Sequence, residues 1–187
     1  MIYSKQKVIF IHIPKNAGTT ITKALDSAFK IKRKRKRRGP WIHDDKITEQ
    51  MIDDYFIIAV CRNPWDRAYS TWKYWRRKMK NIKLSFEDFC QADFNTLLPP
   101  SQRKHLLQQV ELNGQPDFVN PNFWLRFESL QKDYDRVCNH LGLPLTQTIS
   151  HLNRTSGLDY RAAYTSFTRD LISQRFAEDI EFFNYEF

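Results

Sequence analysis

The residues best equipped for chemistry lie in two short segments, VIFIHIPKNAGTT at 8–20 and FIIAVCRNPWDRAYS at 56–70. In the first, Lys15 leads into Asn16, Ala17, Gly18, Thr19 and Thr20, and a helix-like stretch follows from Ile21 to Phe29. This is a set of groups that can hold a phosphate. Gly18 permits close backbone approach, and the N–H groups of Thr19 and Thr20 point outward at the mouth of a helix whose dipole favours an anion. The threonine hydroxyls add donors and Lys15 adds a mobile point charge. The order is not that of a Walker A loop, because here the lysine precedes the glycine. Arg62 stands where the magnesium-binding Asp of a nucleoside triphosphatase would close the second strand. The pattern therefore predicts a phosphorylated ligand bound without a metal.

The elements that must position these groups follow from the apolar runs. Val8, Ile9, Phe10, Ile11 and Ile13 end at Pro14-Lys15, and Phe56, Ile57, Ile58, Ala59 and Val60 end near Arg62. Near-continuous runs of this length predict strands buried on both faces of a parallel sheet covered by helices. Ligands of such sheets sit beyond the carboxyl ends of the strands, where both cations are delivered. The expected fold is α/β: a single domain over 1–187, a P-loop-like three-layer sandwich with a central parallel sheet flanked by helices. The plainer alternative for the second segment pairs Arg62 with Asp66 and leaves Ser70 on a helix surface. Arg67 is expected to serve a structural salt bridge.

Taken together, these motifs carry a family resemblance. Pro14 to Thr20 resembles the phosphosulfate-binding loop of the sulfotransferases that use 3′-phosphoadenosine 5′-phosphosulfate (PAPS). Arg62-Asn63-Pro64-Trp65-Asp66-Arg67 with Ser70 resembles their second motif, in which an Arg and a Ser eight residues apart bind the 3′-phosphate. Leu125 to Leu130, Leu152-Asn153-Arg154-Thr155 and the closing Phe183-Asn184-Tyr185-Glu186-Phe187 also look like that family. The flavour is that of the carbohydrate branch, with the uronyl 2-O-sulfotransferases and compact bacterial homologues. The resemblance implies sulfuryl transfer from PAPS to an acceptor hydroxyl, on an anionic or neutral glycan, with no metal required. It implies donor contacts from Lys15, Asn16, Ala17, Gly18, Thr19, Thr20, Arg62 and Ser70, and from Arg154, Tyr160 and Arg161 in the segment that folds over the adenosine phosphate.

In-line sulfuryl transfer needs a base for the acceptor proton and a cation for the leaving oxygen. Lys15 suits the second task. For the first, the resembled enzymes place a catalytic histidine about twenty residues before the 3′-phosphate arginine, and His43 stands nineteen before Arg62. A glutamate base is the alternative. Among the other histidines, His12 alternates with Ile11 and Ile13 and is read as core. His105 and His140 are read as surface residues, and His151 as a neighbour of the nucleotide.

Composition bounds the rest. The chain has 187 residues, 14% of them aromatic, enough for one domain with a sizeable core. No window approaches the ~20 apolar residues of a membrane helix, so a cytoplasmic protein without a transmembrane segment is expected. Cys61, Cys90 and Cys138 lack metal-ligand spacing and are expected to be reduced. The net charge of +9 resides in one place: eight of the nine residues at 30–38 are Lys or Arg, and without them 22 basic face 21 acidic residues. That run reads equally as a solvated loop or as a surface that steers an acidic polymer. Residues 94–120, punctuated by Pro99, Pro100, Gly114 and Pro116, are read as an acceptor-specificity insert. Two rival functions remain at this point: a nucleotide kinase or NTPase, and a nonenzymatic polyanion binder built on 30–38. Nucleic acid is not the expected partner.

Overall fold

The computed structural model describes residues 1–32, 47–78, 84–97, 107–110, 120–145, 149 and 159–187. They gather into two compact units, one from residues up to 61 together with 120–149, the other from 62–110 together with 159–187.

The first unit holds a four-stranded sheet in the order β1 (Ile2–Tyr3), β2 (Val8–Ile11), β3 (Phe56–Cys61), β4 (Phe123–Arg126). The last three run parallel, with Ile11 opposite Ala59 and Cys61 opposite Arg126; β1 is antiparallel to β2. Two-residue β1 has no periodicity to read and was not foreseen. Strand side chains alternate between faces. Val8, Phe10, Ile58, Val60 and Leu125 share one core with Ile21, Ala24 and Leu25 of helix α1 (Gly18–Ala28) and with Leu130, Tyr134, Val137 and Cys138 of a helix at Leu130–His140. Those helix positions recur every three or four residues, the stripe expected of a helix laid on a sheet. Each large apolar side chain so buried contributes roughly 1.5–3 kcal/mol. The opposite face, Ile9, Ile57, Ala59 and Cys61, is buried as well, which fits the uninterrupted apolar runs of the sequence. Helix α2 (Glu49–Asp54) precedes β3, capped by the Thr48 side chain accepting from Met51 N.

The second unit is helical. It contains α3 (Pro64–Lys78), α4 (Phe86–Gln91), α5 (Phe94–Leu97), α7 (Ser166–Arg175) and α8 (Ala177–Phe183), with α6 being the Leu130–His140 helix of the first unit. Pro64 opens α3, where its missing N–H costs nothing. Ser85 with Asp88 and Thr165 with Thr168 form capping boxes on α4 and α7. Trp72 and Trp75 of α3 are buried and pack the core of this unit. The helical C-terminal stretch is broken at Phe176 into α7 and α8, and it stops before the chain does. Asn184 takes the left-handed conformation that closes a helix, and Tyr185 to Phe187 are not helical. The Phe187 ring packs on Trp65, Tyr160 and Tyr164. No helix among the described residues is long and apolar enough to cross a membrane.

Candidate functional site

In the sheet unit the candidate residues lie on the loop that leaves β2. Lys15 and Ala17 both adopt positive φ, 70° and 55°, in the left-handed region that L-residues rarely enter. Such conformations cost about 1–3 kcal/mol each and persist only where the surroundings impose them, typically at ligand clamps. Ala17 is the N-cap of α1, and its carbonyl accepts from Thr20 N at 2.8 Å and Ile21 N at 3.1 Å. It offers no side-chain cap, and the first turn of α1 carries no acidic residue. The Thr20 N–H, expected from sequence to face the anion, is thus turned to Ala17 O, and the helix start offers an anion the N–H groups of Gly18 and Thr19 and its positive dipole end. Thr20 is buried and Thr19 exposed.

Asn16, which the motif assigns to the donor, also braces the loop. Its side chain is 1% exposed, and Nδ2 donates to the carbonyl of Val60 at 2.6 Å. The amide ties the loop to the end of β3. Because β2 and β3 are parallel, both finish at one edge of the sheet, and Cys61 closes β3 one residue before Arg62. His12 is half-buried rather than core. Its ring lies against Gly18 so closely that a Cβ built there would run into Cδ2 and Nε2. The glycine is therefore required by packing, and the histidine is what requires it.

In the helical unit the candidate residues begin at Arg62. The guanidinium forms a bidentate pair with Asp66, Nε to Oδ2 at 2.9 Å and Nη2 to Oδ1 at 2.8 Å. Asp66 and Ser70 stand four residues apart on α3, so the buried Ser70 shares the helix face that carries the pair. Asn63 Oδ1 accepts from Trp65 N at 3.1 Å, and its Nδ2 donates to the Glu186 carbonyl at 2.8 Å. Arg67 is structural, as expected: Nη1 donates to Leu107 O at 2.7 Å and lies 4.0 Å from the Asp179 carboxylate. Tyr160 and Arg161 lie on a 3-10 turn, Tyr160–Ala163, with the Arg161 guanidinium 4.6 Å from the Tyr160 ring centre. His43, Arg154, His105, His151 and residues 33–38 of the basic run lie outside the described residues.

Sequence reasoning missed Gln109 and Asp179. Both are fully buried, Gln109 on the Arg62 main chain and Asp179 behind Gln109, and neither belongs to a motif that spacing could have flagged.

The model of the sulfotransferase family matches residues 1–186, and the chain belongs to that family. An uncharacterized protein of Archaeoglobus fulgidus is 26% identical over 106 residues, 56% of this chain and 82% of that protein. No solved structure matches the chain.

Proposed function

We propose that the protein transfers a sulfuryl group from PAPS to a hydroxyl of a carbohydrate, in the manner of the uronyl 2-O-sulfotransferase branch, as a cytoplasmic enzyme needing no metal. What carries the reading is the loop at Lys15 to Thr20: an uncapped helix start behind two left-handed residues, in a chain of the sulfotransferase family. The chemistry of its donor set fits a phosphosulfate, being N–H groups, hydroxyls and one lysine with no carboxylate among them.

In this proposal Lys15 and the first turn of α1 bind the 5′-phosphosulfate, and Arg62 and Ser70 bind the 3′-phosphate. Arg154, Tyr160 and Arg161 complete the nucleotide contacts. His43 takes the proton of the acceptor hydroxyl as its oxygen bonds to sulfur. The S–O bond to the 5′-phosphate breaks, and Lys15 neutralises the charge that collects on the leaving oxygen. The adenosine bisphosphate leaves. The basic run at 30–38 supports a preference for an anionic glycan.

Calorimetric titration with adenosine 3′,5′-bisphosphate and with ATP, with and without magnesium, tests the reading. The expected result is metal-independent binding of the bisphosphate, weakened at least tenfold by Lys15→Ala and by Arg62→Ala. His43→Ala should bind normally and fail to turn over. Magnesium-dependent preference for ATP would instead establish the kinase reading.

A further inference from the structure

We infer that Gln109 is a positioning residue for Arg62, anchored in turn by Asp179; the inference rests on the reading of Arg62 as the 3′-phosphate ligand. Gln109 takes both main-chain groups of Arg62 with one side chain. Its Oε1 accepts from Arg62 N at 2.9 Å, and its Nε2 donates to Arg62 O at 2.9 Å. A neighbouring strand would use both groups of its own backbone in the same way, so the amide holds the Arg62 main chain as a strand partner would.

Gln109 is itself fixed from behind. Its main-chain N–H donates to Asp179 Oδ1 at 2.6 Å, Val110 N donates to the same oxygen at 2.8 Å, and Gln109 Nε2 reaches Asp179 Oδ2 at 3.2 Å. The lacing runs the other way too: Gln108 Oε1 accepts from Glu178 N at 2.9 Å in the first turn of α8. Gln109 and Asp179 are each 0% exposed. A buried, fully engaged amide of this kind has one orientation, because turning it over would set its NH₂ against the Arg62 N–H.

The consequence is directional. The Arg62 side chain is aimed by its pair with Asp66, but the point from which it is aimed is held by Gln109. A guanidinium contributes most to phosphate recognition when its fork is fixed before the ligand arrives. Loss of Gln109 should therefore be felt at the 3′-phosphate and not elsewhere on the nucleotide.

The test compares adenosine 3′,5′-bisphosphate with adenosine 5′-monophosphate, which lacks the 3′-phosphate, by titration calorimetry on the full chain. Gln109→Met keeps the side-chain volume and removes both hydrogen bonds. It should weaken the bisphosphate roughly tenfold while changing the monophosphate less than about twofold. Combined with Arg62→Ala, it should cost nothing further, since the residue it positions is gone. Asp179→Asn, which disturbs Gln109 from the far end, gives the same selective loss at smaller size and serves if Gln109→Met does not fold. Equal losses for both nucleotides, or a double variant weaker than Arg62→Ala alone, would overturn the inference. A wild-type protein that does not distinguish the two nucleotides would overturn the reading of Arg62 first, before any variant is made.

Discussion

The side-chain amide of Asn16 donates to the carbonyl of Val60 at 2.6 Å, joining the loop that carries Lys15 to the last turn of strand before Arg62. This single bond crosses between two neighbouring strand ends whose sequences lie 44 residues apart. It makes Asn16 a fastener of the anion loop.

Asn16→Ala should accordingly lower stability by about 1–3 kcal/mol, the cost of stranding a buried carbonyl. Asn16→Asp should be at least as damaging, because it replaces the donor with a buried charge. Chemical denaturation checks both; a variant as stable as wild type would mean that the bond contributes nothing.

Gly18→Ala sets two effects against each other. Alanine is favoured over glycine within a helix by about 1 kcal/mol. The new Cβ would strike the His12 ring, and forced repacking of that kind costs roughly 1–3 kcal/mol. The collision should win, giving a net loss of stability. In a His12→Ala background the obstacle is gone, so the same substitution should become neutral or stabilising. Thermal unfolding of the four proteins reads the reversal of sign directly.

Burial raises the pKa of Asp179 above 3.8, although Arg67 and the N–H donors of Gln109 and Val110 pull it down. A carboxyl whose folded pKa exceeds its unfolded one stabilises most at low pH, and that contribution fades as pH rises through the folded value. Asp179→Asn removes this term. The difference in Tm between variant and wild type should then change steadily from about pH 4 upward. A constant difference across the range would contradict the shift.

Burial pushes the Cys90 thiol up to about 12, with Arg175 opposing and Glu87 assisting. At pH 8 that leaves about one thiolate in ten thousand, and the thiolate is the reactive form. Iodoacetamide should label Cys90 only after unfolding, which peptide mass spectrometry can follow. Rapid labelling of the native protein would show that the α4 region opens.

Much of the fold was legible because its signals are local. Strands β2 and β3 announce themselves as apolar runs stopped by Pro14-Lys15 and Arg62, and α1 and α3 begin at residues that cannot stay in a strand. Lys15 and Arg62 were conspicuous for the same reason. The missing pieces are those made by distant pairing. Asp179 reads as an ordinary first-turn acid of α8, and Gln109 as part of an insert thought to face the acceptor; only the folded chain joins them to Arg62. Asn16 was found by its motif, but its brace to Val60 was not, since spacing cannot show which strand end a loop amide reaches. The division of the C-terminal helix at Phe176 was equally invisible, because no Pro or Gly marks it.

The pair between Arg62 and Asp66 means that this guanidinium already has a resident counter-ion. Chloride or sulfate arriving alone gains little there, because it competes with a tethered carboxylate. If Arg62 receives the 3′-phosphate as proposed, a nucleotide held also by its other groups would keep its hold during the exchange, and small anions would be filtered by valency of attachment instead of by size.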